Sequence, residues 1–183
     1  SFPKSTGHLP CYYNYYPSDK GYYNRKGSLD KPGRDYVFSD PYALYTFGYG
    51  LSYSKFEYTD MMIEIADGKD ASGAGSLSMD DTIIVKVGLK NTSDVAGKET
   101  VQIYANDKAS SYITPAKSLV GYKKVEVKPG SEAVAAVEIP ASRLAFYDKY
   151  GNYISGLRRS TEEFYTITSD DIPEGARYAA LCG

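Results

Sequence analysis

The chain has 183 residues and a formal net charge of -2, from 21 basic and 23 acidic residues that are well mixed along it. That balance is not typical of nucleic-acid-binding proteins, whose basic residues cluster on one face. No apolar run approaches the ~20 residues that span a bilayer, and no signal-peptide pattern is present. We therefore expect no nucleic-acid partner, no membrane span and no export signal within this sequence.

The first 56 residues predict an irregular segment rich in Tyr, Gly and Pro that does not fold independently. Twelve of the 20 Tyr fall in residues 1–58, and the only aliphatic side chains in residues 1–40 are Leu9, Leu29 and Val37. So few aliphatic groups cannot offset the entropy cost of ordering the chain. Residues 9–16 favour an extended conformation and residues 17–35 a loop. We expect this segment to lie against a partner surface or to be mobile.

The end of this segment, residues 43–58 (the aromatic run), places aromatic rings around two glycines. Gly48 and Gly50 are expected to supply backbone angles that other residues avoid. Two interpretations compete: a platform that stacks on sugar rings, and a seam between two domains. The seam is favoured because Tyr buries a large ring and keeps a hydroxyl for a partner. The residues predicted to pack between domains are Tyr45, Phe47, Tyr49, Tyr53 and Phe56.

Residues 57–183 predict an all-β domain. Alternating segments occur at 56–67, 81–91, 98–107, 117–130 and 131–140, followed by a short hairpin pair at 143–154 and a last strand at 162–170. The positions predicted to face inward are Ile83, Val85, Val87, Leu89, Val101, Ile103, Ala105, Val125, Val127, Ala133, Ala135, Val137 and Ile139. About seven antiparallel strands with regular turn signals favour a fibronectin III/Ig-like β-sandwich. The final residues, 173–183, suggest no role.

Five stretches in order resemble the C-terminal part of family 3 glycoside hydrolases, of the β-glucosidase and β-xylosidase type. Residues 7–21 (GHLPCYYNYYPSDKG) and 31–58 are similar to the end of their α/β-sandwich domain and the linker after it, and FGYGLSY (47–53) is the most specific part. Residues 87–107 (VGLKNTSDVAGKETVQIYAND), 115–131 and 144–154 resemble their fibronectin III-like domain. The Pro-Gly turn that members carry before the last strand is absent, which puts that hairpin in question.

The resemblance implies what the chain lacks as well as what it contains. Such enzymes are retaining exo-glycosidases that use an Asp nucleophile on an N-terminal barrel and a Glu acid/base, with the two carboxylates about 5 Å apart. Both would lie outside this chain, so we expect no catalytic residue here and no hydrolysis by the chain alone. The implied partners are the barrel and α/β-sandwich domains of the same enzyme, which contacts the carbohydrate substrate. By the same analogy the whole enzyme is periplasmic or secreted.

A few polar residues are candidates for binding. In the loop at 30–36, Arg34 and Asp35 are candidates for reaching substrate in the intact enzyme, although a surface turn with a local ion pair is the favoured interpretation. His8 is the only histidine and has no partners at metal-ligand spacing, so no metal or cofactor is expected. Cys11 and Cys182 are expected to be ordinary thiols. Residues 148–152 predict a hairpin turn rather than a calcium loop.

Asn91 opens the sequence Asn-Thr-Ser, which fits the N-glycosylation pattern, but it falls in a strand-end turn. The function that these observations favour is a non-catalytic accessory domain of a β-glycosidase that stabilises the catalytic domains. A carbohydrate-binding module, suggested by the abundance of Tyr, is the main alternative. An Ig-like protein-interaction module is the third.

Overall fold

The computed structural model describes residues 1–8, 11–16, 30, 43–66, 77–107, 112–155 and 179–182. The described residues form an all-β fold, as predicted, in which the one helical element is a 3-10 turn at Ala141–Leu144. The strands are β1 (Phe56–Ile65), β2 (Thr82–Asn91), β3 (Gly97–Asn106), β4 (Ser118–Val127), β5 (Glu132–Pro140), β6 (Ala145–Tyr147), β7 (Tyr153–Ser155) and β8 (Ala179–Cys182).

Two three-stranded sheets build the domain, with the strand orders β1-β2-β5 and β4-β3-β8, and β6 pairs with β7 in a separate hairpin. The pairs β1–β2, β2–β5, β3–β4 and β6–β7 are antiparallel. A register shift interrupts β1 between Tyr58 and Met61, and another interrupts β3 between Ile103 and Tyr104. Such irregularities increase the local twist of a sheet and re-aim the side chains beside them.

The core lies between the two sheets and follows the predicted alternation. Side chains of a strand point alternately to opposite faces, so every second residue faces the core. Most of the residues predicted to face inward are fully buried, and Ala105, Val125 and Ala133 are partly buried against the same cluster. The buried cluster is Ile83, Val85, Val87, Leu89, Val101, Ile103, Val120, Val127, Ala135, Val137 and Ile139.

The end of the chain differs from its prediction. Residues 173–183 suggested no role, yet Ala179–Cys182 forms β8, which pairs in parallel with Ile103–Asn106 of β3. Four residues are too few to show a period-two pattern, and their pairing depends on an edge of β3 that only the folded sheet provides. The predicted last strand at 162–170 lies outside the described residues. Near the other end, residues 11–16 contain a turn at Tyr13 and Asn14 rather than an extended strand.

Asn91 ties the end of β2 to two neighbouring segments. Its side chain is fully buried. The Nδ2 group donates to the carbonyls of Val95 (2.8 Å) and Val127 (3.0 Å), while Oδ1 accepts from the backbone N–H (3.0 Å) and hydroxyl (2.7 Å) of Ser93. Val127 ends β4, so this amide links the two sheets. A nitrogen that is buried and donates two hydrogen bonds is not accessible to a glycosylating enzyme in the folded protein.

We expect the Asn91→Ala variant to lower the free energy of unfolding by about 2 kcal/mol, because it removes the buried hydrogen bond from Asn91 Nδ2 to the Val127 carbonyl. Urea denaturation followed by circular dichroism measures this loss. Asn152→Ala, at an exposed hairpin turn, is the control and should change stability by less than about 1 kcal/mol. Equal losses of unfolding free energy in the two variants would show that the Asn91 side chain does not stabilise the contact between the sheets.

Candidate docking surface

The aromatic run has an inner side that contacts the sandwich and an outer side that faces solvent. Phe47, Tyr49 and Phe56 are half-buried, and Phe56 packs against the core cluster. Tyr45 is exposed, and Tyr53 is 99% exposed. The five residues predicted to pack between domains are therefore divided between these two sides.

The inner side is centred on Tyr104, a residue that sequence reasoning missed. Alternation assigns Tyr104 to the outer face of β3, opposite Val101 and Ile103, yet it is only 1% exposed. Tyr13 and Phe47 cover it: their rings stack with centroids 4.1 Å apart, and each meets the Tyr104 ring edge-on at 6.3 and 6.4 Å. Two features of the sequence could have indicated this contact. Tyr104 is a large ring at an outward position of β3, and the front segment has too few aliphatic groups to form a core of its own.

Hydrogen bonds hold the backbone of the aromatic run on the same face of β3. The Gln102 side-chain amide donates to the carbonyl of Gly48 (3.2 Å), and the Tyr104 hydroxyl donates to Gln102 Oε1 (2.7 Å). Gly48 has a φ of 84°, and a Cβ there would lie 2.7 Å from Gln102 Oε1 and 2.8 Å from the Tyr104 hydroxyl. The predicted need for glycine is thus confirmed at Gly48, where both the backbone angle and the close approach require it. The same prediction is wrong at Gly50, whose φ is not positive and where a Cβ would meet nothing within 4 Å.

The start of the chain is attached to the same region. The N–H of Phe2 donates to the Tyr45 carbonyl and the N–H of Leu44 donates to the Phe2 carbonyl, both at 2.8 Å. Further along, the N–H of Ala116 donates to the Tyr15 carbonyl at 2.8 Å. Tyr13, Tyr15 and Phe47 therefore contact the rest of the same chain, and Phe2 is attached to the aromatic run.

The outer side of this region carries large apolar groups in water. Leu51 is 86% exposed and Tyr53 is 99% exposed, and Phe2, Leu44 and Tyr45 are also exposed. We call these five residues the exposed apolar group. Single exposed apolar residues are ordinary, but several of them on one anchored segment are typical of an interaction surface. Within this group, the Phe2 and Tyr45 rings meet edge-on with their centroids 6.3 Å apart.

The other predicted site residues have simpler surroundings. Arg34 and Asp35 lie outside the described residues. Cys11 Sγ lies 3.4 Å from His8 Nδ1, and burial raises the pKa of the Cys11 thiol, which favours its protonated form. Among the residues that the structure describes, no group of three or more His, Cys, Asp or Glu side chains is placed to hold a metal ion.

The predicted hairpin turn at 148–152 is confirmed. The Asp148 carboxylate accepts from the backbone N–H groups of Tyr150 and Asn152, both at 2.8 Å, and from the Asn152 side-chain amide at 3.0 Å. The side-chain bond from Asn152 is the main cause that lowers the pKa of Asp148. Gly151 has a φ of 81° and completes the turn. The Asp148 oxygens thus organise the backbone of a turn, not a calcium loop.

Comparison with known proteins identifies the domain. A family model described as a fibronectin type III-like domain matches residues 99–156. Thermostable β-glucosidase B of Acetivibrio thermocellus is 37% identical over 149 residues, which make up 81% of this chain and 18% of that protein. The periplasmic β-glucosidase of Salmonella typhimurium is 29% identical over 156 residues, or 84% of this chain and 19% of that protein.

A solved β-glucosidase structure from Erythrobacter marinus matches with a TM-score of 0.64 and 30% identity, over 84% of this chain and 18% of that one. The chain thus spans less than a fifth of each of these three proteins.

The fold and the family model define the sandwich as a fibronectin type III-like domain. With the relatives that match across most of its length, the chain belongs to the family 3 glycoside hydrolases and corresponds to their C-terminal accessory part. Within the described ranges, the structure contains no helix that is both long and apolar enough to cross a membrane.

We expect the Gly48→Ala variant to lower the free energy of unfolding by about 2 kcal/mol, because alanine strains the positive φ and crowds Gln102 and Tyr104. Gly50→Ala is the matched control, since a Cβ there meets nothing within 4 Å. It should change stability by about 0.5 kcal/mol or less. Chemical denaturation of both variants tests the inner contact, and equal stability of Gly48→Ala and the unmodified chain would contradict it.

Proposed function

We propose that this chain braces the catalytic domains of a β-glycosidase by docking on them through the exposed apolar group. The observation that carries the proposal is the two-sided aromatic run: its inner rings cover Tyr104, while Leu51 and Tyr53 are almost fully exposed. Exposure of such side chains to water does not stabilise an isolated domain. A partner surface that covers them would remove apolar area from water, and this burial would stabilise the contact by about 25 cal/mol per Å².

The partner proposed for this surface is the remainder of the same enzyme, its barrel and α/β-sandwich domains. The relatives support this choice because each is about five times as long as the matched segment. Interfaces between domains of one chain typically bury about 600–1,500 Å² and are partly polar. Tyr suits such an interface because its ring is buried while its hydroxyl still finds a hydrogen-bond partner. Of the five predicted packing residues, Tyr45 and Tyr53 are proposed to contact the partner directly. Phe47, Tyr49 and Phe56 are proposed to support this surface from its inner side.

The activity of the whole enzyme is proposed from its relatives' names. We place it among the retaining, exo-acting β-glycosidases, with the Asp nucleophile and the Glu acid/base outside this chain. The loop with Arg34 and Asp35 is the part of this sequence proposed to approach the sugar. A periplasmic or secreted location is proposed because one relative is named as a periplasmic β-glucosidase.

Replacing Tyr53 with Ser in the intact enzyme should lower its apparent melting temperature by several degrees, since a ring buried at the domain interface is lost. A loss of about 1–2 kcal/mol is expected for such a truncation. The same change in the 183-residue chain alone should leave the melting temperature unaltered, because Tyr53 is exposed there. Tyr150→Ser, at the exposed hairpin turn, is the control in both proteins. An intact enzyme that tolerates Tyr53→Ser as well as Tyr150→Ser would contradict docking through this residue.

The chain alone should release no nitrophenol from aryl β-glucosides or aryl β-xylosides above the uncatalysed rate, because neither catalytic carboxylate is in it. The intact enzyme, assayed in parallel at equal molarity, is the positive control. Turnover by the purified chain that survives repeated chromatography would show that it contains an active site of its own.

A further inference from the structure

Strands β4 and β5 are edge strands of the two different sheets, and they lie beside each other. In the part of the chain that the structure describes, β4 pairs only with β3, and β5 pairs only with β2. Residues 128–131 connect the two strands, and a groove of about 450 Å³ lies between them. A free strand edge presents unpaired backbone N–H and C=O groups, which readily pair with a strand of another molecule.

Two cationic side chains cross this groove in opposite directions. Lys123 of β4 donates from Nζ to the carbonyl of Ala136 in β5 at 3.0 Å. Arg143, in the 3-10 turn that follows β5, donates from Nη1 to the carbonyl of Val120 in β4 at 3.2 Å. Each edge strand therefore has a backbone carbonyl that is occupied by a cation from the other side of the groove.

The backbone of both edges carries further features that oppose pairing. The ladder between β3 and β4 passes from Gly121 to Leu119, so Val120 is an extra residue that the pairing leaves out. Strand β5 ends at Pro140, which has no N–H to donate to a neighbouring strand. Lysines, bulges and prolines are the features by which natural sheets keep their edges from pairing with other chains. All three occur along β4 and β5.

The need to satisfy buried carbonyls explains Arg143 but not Lys123. Val120 is buried, so its carbonyl needs a donor, and the bond from Arg143 is partly buried. The bond from Lys123 is exposed, and water satisfies an exposed carbonyl equally well. Ordering a lysine side chain also costs rotamer entropy, so this bond adds little to stability. The position of Lys123 on a free edge, in contrast, is one where a lysine obstructs an incoming strand.

We propose that Lys123 and Arg143 form a clasp that keeps the edges of β4 and β5 from pairing with the same edges of a second copy of this chain. A second copy presents identical free edges, and antiparallel pairing of like edges about a two-fold axis is a self-complementary contact. An incoming strand must take the carbonyls of Val120 and Ala136, and it must first displace both cations. This role goes beyond the bracing function and shares no residue with the exposed apolar group.

Sedimentation velocity of the 183-residue chain, from micromolar to near-millimolar concentration, tests the clasp. We expect the double variant Lys123→Met/Arg143→Met to self-associate at concentrations about tenfold or more below those at which the unmodified chain does, because both carbonyls become available. Lys124→Met is the matched control. It makes the same change at the next residue, which is exposed and lies opposite Thr100 of β3, and it should sediment like the unmodified chain.

Two further variants keep the test decisive. Lys123→Arg combined with Arg143→Lys retains a donor at each position and should restore the behaviour of the unmodified chain. Lys123→Met alone removes only an exposed bond, so it serves if the double variant does not fold, and it should also increase self-association. Circular dichroism melts verify that each variant is folded.

Three results would overturn the proposal. The first is self-association of Lys124→Met as strong as that of the double variant. The second is a folded Lys123→Met variant that associates no more than the unmodified chain. The third is loss of the association when Tyr53→Ser is added to the double variant, because the exposed apolar group would then be its cause. Association that persists in that triple variant supports pairing through the edges.

Discussion

The burial of Tyr104 is the contact on which the arrangement of the front of the chain depends. It gives β3 two buried faces: Val101 and Ile103 face the core, and Tyr104 is covered by Tyr13 and Phe47 from outside. Residues that have too few aliphatic groups for a core of their own thereby gain one large apolar surface to cover. In the same segment of the chain, Leu51 and Tyr53 are exposed to solvent.

Polar contacts between the sheets give this sandwich its specific alignment. The Asn91 amide joins the end of β2 to the end of β4 through the Val127 carbonyl. At the other sheet edge, the Tyr58 hydroxyl of β1 donates to the buried Glu99 carboxylate of β3 at 3.0 Å. A buried polar group is costly unless its partners are in place, so a shift of one sheet against the other is disfavoured. Apolar packing alone would tolerate such a shift more easily.

The two sides of the aromatic run have different chemistry. On the inner side, Phe47 packs on the buried Tyr104 ring of the same chain. On the outer side, the exposed apolar group presents leucine and aromatic side chains, which suit an interface with another domain.

The sequence by itself determined strands β1 to β7, most of their inward residues and the need for glycine at position 48, because these depend on local geometry: period two and the sign of φ. It did not predict β8, and it was wrong about Gly50. It also indicated that residues 1–56 need a surface to cover, since their composition lacks aliphatic groups. Only the tertiary structure decided that Tyr104 supplies part of that surface, that β8 pairs in parallel with β3, and that β4 and β5 form a groove. These features join residues far apart in the chain, and local patterns carry no information about which distant edge or ring a segment will meet.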